Sequence, residues 1–178
     1  MSTAFSLAGR RTDAPDSAPR FPLANVSLVR ERLRELFHRH ECTALFCAAA
    51  CGADLTALEL ASDLEIPAWI VLPFAAERFR ETSVVDRPGD WGPLYDRLIA
   101  SAARAGRLIA HDHVPGDDGT YRTANEDILD AAERFASGRE QHAVIAWEGK
   151  PREGTDITNL FAQSARARSL PLHEILTL

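Results

Sequence analysis

The segment that opens at Gly149 and ends in Gly154-Thr155 has the composition of an anion-binding loop. A run of apolar residues, Ala143–Trp147, predicts a buried strand before it, and we expect a helix to begin at Thr155. Glycine lets the backbone approach a phosphate closely, and the free N–H groups of a helix N-terminus favour negative charge. Asp156 would repel a phosphate here unless its carboxylate faces away or binds a sugar hydroxyl. The alternative is an ordinary strand-to-helix turn with Thr155 as the N-cap.

Two more predicted strand ends carry small and charged residues that suit a ligand site. They are Gly9, Arg10, Arg11 and Asp13 after the first strand, and Cys51, Gly52 and Asp54 after the second. Arginines at such a position can pair with phosphates, although arginines on a surface loop are more often simply solvated. Gly52 permits a tight turn, and Asp54 stands where it can cap the following helix. In an open parallel sheet these strand ends lie at one edge, where ligands bind.

Glu59 stands among apolar residues, in the helix predicted to follow Asp54. A carboxylate in that setting lies either on the exposed stripe of the helix or in a partly buried position. Only the buried position would suit general acid–base catalysis, because the pKa must then be shifted by the surroundings. Asp54 and Glu59 are therefore the candidate catalytic residues, with both positions of Glu59 left open.

Histidine and cysteine patterns do not predict a metal site. His111 and His113 flank Asp112 after a short predicted strand, but no third ligand stands at a recognisable spacing. Cys47 and Cys51 are not spaced as a CxxC pair, and we expect them to be small buried residues with reduced thiols. The sequence thus predicts no metal and no other cofactor.

Short apolar runs that alternate with amphipathic helices predict an α/β fold. Thr43–Ala49, Ala68–Leu72 and Ala143–Trp147 are continuous apolar runs, which are typical of central strands covered on both faces. We expect a Rossmann-like parallel sheet of roughly five or more strands with helices on both faces, which is a three-layer sandwich. A length of 178 residues fits a single domain over residues 1–178.

The composition bounds the partners that the chain can be expected to take. The formal net charge is −6, and a net negative protein is a poor partner for a nucleic-acid polymer or an anionic membrane. A small phosphate ligand is still compatible, because local arginines and backbone amides can outweigh the net charge. No apolar run approaches transmembrane length and no signal peptide is recognised, so the expected location is the cytoplasm. Three cysteines, an odd number, agree with reduced thiols there.

Taken together, the strand ends resemble those of the SLOG superfamily, a Rossmann-like group named for bacterial DNA-processing proteins and LOG cytokinin-activating enzymes. The matching motifs are Gly9–Asp13 with Arg20–Pro22, Ala50–Asp54 with Glu59, Leu72–Phe74 with Phe79 and Ser83-Val84, and Trp147–Gly149 with Gly154-Thr155. They look most like the branch found beside signalling modules, where the domain is thought to sense nucleotides. The predicted ligand-binding residues are Gly9, Arg10, Arg11, Asp13, Cys51, Gly52, Asp54, Pro73, Trp147, Gly149, Gly154, Thr155 and Asp156.

One position departs from the LOG pattern. LOG enzymes cut the N-glycosidic bond of a nucleoside monophosphate, and their motif Pro-Gly-Gly-x-Gly-Thr-x-x-Glu ends in the catalytic glutamate. Here Gly154-Thr155 is followed by Asp156-Ile157-Thr158, so Thr158 stands at the glutamate position, and the Pro-Gly-Gly start is absent. The departure argues against LOG-type catalysis.

Two functional hypotheses follow from the residues and the resemblance. The first is a domain that binds or senses a small nucleotide, with its phosphate at the Gly149–Thr155 loop. The alternative is an N-glycosidase or glycosyl-transferring enzyme acting on nucleosides, as in nucleoside deoxyribosyltransferases, with Asp54 and Glu59 as its acids. The resemblance also predicts a homodimer, with Trp91 or Phe135 on its surface.

Overall fold

The computed structural model describes residues 2–178, which contain one six-stranded sheet. The strands are β1 (Thr3–Gly9), β2 (Cys42–Cys47), β3 (Ala68–Leu72), β4 (Leu108–Ala110), β5 (Glu140–Trp147) and β6 (Leu172–Leu176). Their order across the sheet is β4-β3-β2-β1-β5-β6, and every adjacent pair is parallel. The predicted Rossmann-like parallel sheet is confirmed, and the strands expected at its centre, β2, β3 and β5, each lie between two others.

Helices cover both faces of this sheet. They are α1 (Val26–Arg39), α2 (Ala53–Asp63), α3 (Ala76–Ser83), α4 (Trp91–Arg104), α5 (Asp118–Phe135) and α6 (Ile157–Ala167). Alternate residues of β2 enter two separate hydrophobic clusters, Leu45 and Cys47 in one and Ala44 and Phe46 in the other. The first cluster contains residues of α1, α2 and α4, and the second contains residues of α5 and α6. Because successive strand residues point to opposite faces, the fold is the predicted three-layer sandwich.

Two helices begin away from their predicted positions. The apolar periodicity of the sequence predicts a helix over residues 124–136, but α5 starts at Asp118, because the side chain of Asp117 accepts a hydrogen bond from the Thr120 N–H at 2.8 Å and caps the helix. α6 starts at Ile157, two residues after Thr155, with Asp156 as its N-cap. Throughout residues 2–178 no helix combines the length and apolarity needed to cross a membrane.

Neither aromatic residue proposed for a dimer surface is fully open to solvent. Trp91 is buried and donates its indole N–H to the carbonyl of Pro88 at 3.0 Å. Phe135 is half-buried and stacks on Trp69, with ring centroids 6.2 Å apart. The homodimer therefore stays a prediction, without an interface from these two side chains.

The chain changes direction across the sheet at β1. From β1 it moves outward through β2, β3 and β4, and then α5 returns it to β5 on the other side of β1. α1 and α2 lie on one face of the sheet, whereas α5 and α6 lie on the other. Such a reversal leaves a crevice at the carboxyl ends of the strands, where open α/β sheets bind ligands.

Candidate functional site

A cavity of about 600 Å³ opens at the carboxyl ends of β1, β2 and β3. Its residues at those strand ends include Gly9, Ala48 and Pro73, while α3 and α5 form two of its walls. The loop after β1, with Ala14 and Ser17, forms a third wall. The cavity lies beside the reversal point of the sheet, as expected for a ligand site in this fold.

The structure brings some of the predicted site residues together and leaves others outside. Gly9, Arg10, Arg11, Asp13, Asp54 and Pro73 line the cavity. Glu59, Cys51, Gly52, Trp147, Gly149, Gly154, Thr155 and Asp156 are not among its lining residues. Thr158, the residue at the LOG glutamate position, does line it, together with Arg152 from the Gly149–Thr155 loop.

Asp54 is the acid whose setting is most unusual. It lies in the first turn of α2 and is only 6% exposed. Its Oδ2 accepts a hydrogen bond from the Ala50 N–H at 3.2 Å, but its Oδ1 is buried without a hydrogen-bond partner among the described residues. Burial raises the pKa of Asp54 to about 7. Asp54 therefore offers the cavity a carboxyl group that can hold or release a proton near neutral pH.

Arg10 is occupied by two buried carboxylates. Its Nη1 donates to Oδ1 of Asp156 at 2.6 Å and its Nη2 to Oδ2 at 3.0 Å, which is a bidentate pair. Its Nε donates to Oε2 of Glu148 at 2.6 Å. The guanidinium and both carboxylates are less than a tenth exposed. Arg10 therefore supports the site from within the protein, because its charge is already neutralised.

The Gly149–Thr155 loop does not form the predicted backbone anion site. The Asp156 carboxylate itself occupies the N-terminus of α6, where it accepts the N–H groups of Asn159 at 3.1 Å and Arg152 at 2.9 Å. Burial would raise the pKa of Asp156, but the hydrogen bonds from Arg10 and from these backbone groups hold it at about 2. The position that a phosphate was expected to take is filled by the protein's own anion.

Glu59 lies on the exposed side of α2, outside the cavity. Its side chain is 39% exposed, and its carboxylate oxygens lie 3.9 Å from Nη1 of Arg30 and 3.8 Å from Nη2 of Arg97. The partly buried position of Glu59 that the catalytic hypothesis required is therefore not the one found. The apolar neighbours of Glu59 in the sequence face the core, while its own side chain faces the arginines.

Gly9 and Gly52 hold the site together by close packing. A Cβ at Gly9 would lie 2.4 Å from Cβ of Ala53, and one at Gly52 would lie 2.7 Å from the carbonyl oxygen of Arg10. Gly52 also has a φ of +95°, which side chains rarely adopt. Both glycines thus let the start of α2 sit against the loop after β1. Cys51 is buried, with its Sγ 3.9 Å from Oγ1 of Thr12.

Asp13 closes the loop after β1. Its carboxylate accepts the N–H of Arg20 at 3.1 Å and the N–H of Phe21 at 2.9 Å, so it fixes a wall of the cavity.

Four further arginines line the cavity, namely Arg11, Arg20, Arg87 and Arg152. Nη1 of Arg11 lies 2.8 Å from Oδ1 of Asp86 and Nε of Arg87 lies 3.9 Å from Oδ2 of the same residue, whereas Arg152 takes part in no ion pair within residues 2–178. Arg20 keeps only a 3.6 Å contact with Glu148. Sequence analysis missed Arg87, which lies outside the glycine motifs, and it did not single out Arg152, because in the Gly149–Thr155 loop only the glycines and the helix start were considered. Of the four, only Arg152 brings a charge to the cavity lining that no ion pair among the described residues offsets.

Comparison with known proteins identifies the fold. No protein-family model matches the chain, and no curated protein matches it. Among solved structures, the chain is similar to DNA processing protein A from Helicobacter pylori, whose structure is described for a unique single-stranded DNA binding mode. The TM-score is 0.56 at 15% sequence identity, over 96% of this chain and 64% of that protein. The chain thus shares a Rossmann-like fold with a DNA-processing protein while spanning less than two thirds of its length.

This similarity corrects one prediction. The net charge of the chain led us to exclude a nucleic-acid polymer as a partner, and that exclusion is wrong because a protein with this fold binds single-stranded DNA. Net charge averages over the whole surface, whereas a strand-end crevice is defined by its own arginines and backbone groups. The similarity shows a Rossmann-like fold shared with a DNA-processing protein, and both the SLOG superfamily and its signalling branch stay predictions.

Proposed function

We propose that the chain binds a nucleotide or nucleotide derivative in the cavity at the carboxyl ends of β1, β2 and β3. Asp54 carries this proposal, because its buried Oδ1 lacks a partner beside that cavity. Buried polar atoms are nearly always paired in native proteins, so an unpaired one at a cavity marks a place for a ligand group. A sugar hydroxyl or a base N–H would satisfy it.

The size and charge of the cavity suit a nucleotide. A volume of about 600 Å³ falls within the range of small-molecule sites. We assign the phosphate to the arginines that line the cavity, with Arg152 and Arg87 as its principal contacts. The Gly149–Thr155 loop then contributes through the side chain of Arg152, since Asp156 occupies the backbone N–H groups at the helix start. Arginine suits this role because its planar fork of donors matches phosphate oxygens.

The pKa of Asp54 favours a second candidate, hydrolysis or transfer at an N-glycosidic bond. A carboxyl group with a pKa of about 7 can donate a proton to a departing base at neutral pH and take one back from water. Asp54 would be the general acid in that reaction. Glu59 takes no part, because its side chain lies outside the cavity.

Binding is tested by calorimetric titration with nucleoside mono-, di- and triphosphates, cyclic nucleotides and a short single-stranded DNA. Asp54→Asn should weaken the tightest of these by about 10–100-fold, because a hydrogen bond to a charged group contributes about 1.5–3 kcal/mol. Glu59→Gln, on the same helix, is the matched control and should leave the affinity unchanged. Failure of the wild type to bind any member of the panel would refute the proposal.

Catalysis is tested separately by chromatography of the same nucleotides after incubation with the protein. Release of free base by the wild type, and its loss in Asp54→Asn, would establish the second candidate. Binding without release would leave a binding domain.

A further inference from the structure

Three histidines from different elements meet at the amino-terminal edge of the sheet, across the molecule from the cavity. His40 follows the last turn of α1, while His142 and His173 lie near the starts of β5 and β6. One ring nitrogen from each lies within 4.8 Å of the other two, and Nδ1 of His142 is 3.0 Å from Nε2 of His173. All three rings surround Phe5, at centroid distances of 5.7 to 6.2 Å.

We propose that His40, His142 and His173 bind a divalent transition metal of the zinc class, with water in the fourth position. Tetrahedral zinc at its usual distance from imidazole nitrogen separates two ligand nitrogens by about 3.4 Å. The distance of 3.0 Å between His142 and His173 is close to that value, and all three nitrogens lie within 4.8 Å of one another, so small rotations of the rings bring them to it. The site is independent of the nucleotide cavity, and no pattern in the sequence indicated it.

The protonation of the cluster agrees with metal binding. Burial and the neighbouring His40 lower the pKa of His142, and burial together with His40 and His142 lowers the pKa of His173 to about 4. The two rings are therefore neutral at physiological pH, which is the form that ligates metals. The hydrogen bond between His142 and His173 places one proton between two nitrogens of the cluster, so a metal would take the place of that proton, which would move to the other nitrogen of its ring.

The charges around the cluster also orient its ligands. Oε2 of Glu140 lies 3.8 Å from Nε2 of His142, on the side away from His173. A carboxylate at that nitrogen favours a proton there and frees Nδ1 for the metal, as is common for metal-bound histidines. Arg39 opposes the metal, because its charge acts on His173. All three histidines are only half-buried, so an ion can reach them from the solvent.

A second cluster supplies the matched control. His113 and His111 approach Asp127, with Nε2 of His113 at 2.7 Å and Nε2 of His111 at 3.7 Å from its Oδ2. These three side chains also bring one ligand atom each within 4.8 Å of one another, so this cluster is the competing place for a metal among the described residues. A variant at His113 therefore removes one imidazole from the protein without touching the histidine trio.

The test uses full-length protein prepared without a polyhistidine tag, stripped with a chelator, and titrated with Zn²⁺ against a chromophoric competitor. The wild type should bind Zn²⁺, and Co²⁺ should give the visible absorption of a tetrahedral site. Glu140→Gln should weaken Zn²⁺ binding by about 10–100-fold, as loss of such an outer partner does. His142→Asn should weaken it further and abolish the Co²⁺ spectrum, while His113→Asn should keep both.

His40→Asn provides a second variant at a helix end, where replacement leaves the strands intact, and circular dichroism checks the fold of each variant. Loss of Zn²⁺ affinity in His40→Asn supports the site even if His142→Asn does not fold. The proposal is overturned if folded His40→Asn binds Zn²⁺ as tightly as the wild type. It is equally overturned if His113→Asn alone removes the binding or if the wild type binds no Zn²⁺.

Discussion

Replacing Asp54 by asparagine should flatten the pH dependence of stability. The Asp54 carboxyl is 6% exposed, and burial raises its pKa to about 7 in the folded chain from the ordinary aspartate value of 3.8. Because the folded state holds this proton more tightly than the unfolded chain, protonated Asp54 stabilises the fold. That stabilisation is complete below about pH 4 and is lost as the pH rises through about 7.

The magnitude follows from the two pKa values. They differ by about three units, and one unit corresponds to 1.36 kcal/mol, so the whole effect is about 4 kcal/mol. About 2–3 kcal/mol of it falls between about pH 5 and about pH 8, where the carboxyl of the unfolded chain is ionised and that of the folded chain titrates. Asparagine does not ionise, and its side-chain oxygen can still accept the Ala50 N–H bond.

Urea denaturation of wild type and Asp54→Asn at these two pH values measures the difference. The wild type should lose about 2–3 kcal/mol more than the variant on going to the higher pH. Asp63→Asn, whose side chain is 53% exposed on the same helix, is the control and should follow the wild type. Parallel losses in wild type and Asp54→Asn would refute the burial argument, because the carboxyl would then titrate alike in both states.

Four other substitutions distinguish residues that support the fold of the site from residues that contact the ligand. Arg10→Met should lower the free energy of unfolding by about 3–5 kcal/mol in urea denaturation, because it leaves buried Asp156 without an ion-pair partner and buried Glu148 with only the 3.6 Å contact to Arg20. Gly9→Val should cost about 1–3 kcal/mol or more in thermal denaturation, since its Cβ would lie 2.4 Å from Cβ of Ala53. Arg152→Gln should weaken nucleotide binding in calorimetry while Gly154→Val leaves it intact, and the reverse result would return the phosphate to the loop backbone.

The fold could be predicted because its strands carry their own signal. Ala68–Leu72 and Ala143–Trp147 are apolar without alternation, and a strand covered on both faces has no polar side. The start of α5 was misplaced because its cap, Asp117, lies in a polar segment without apolar periodicity. The interior turns of a helix are set by packing and so appear in the apolar pattern of the sequence. The ends of a helix depend on single hydrogen bonds, which that pattern does not show.

The candidate site could be predicted only in part, because its chemistry depends on contacts distant in sequence. Gly9, Asp54 and Pro73 were found from their places after strands, since parallel strands end at one edge of the sheet. The ion pair of Arg10 could not be predicted from the sequence, because its partner Asp156 lies 146 residues away. The sequence also left the exposure of Glu59 undecided, because helical spacing allowed its side chain to lie on either face of the helix.

Two aspartates, one after β2 and one after β5 on the other side of β1, show how the surroundings give the same kind of side chain different roles. Asp156 receives hydrogen bonds from Arg10 and from the start of α6, so it stays ionised, with a pKa of about 2, and acts as a fixed structural anion. Asp54 receives one backbone N–H, and burial raises its pKa to about 7. Carboxyl groups whose pKa values are driven apart in this way mark the assignment of roles in a site. Asp54 is therefore the acid that can exchange a proton with a ligand or form a hydrogen bond to it.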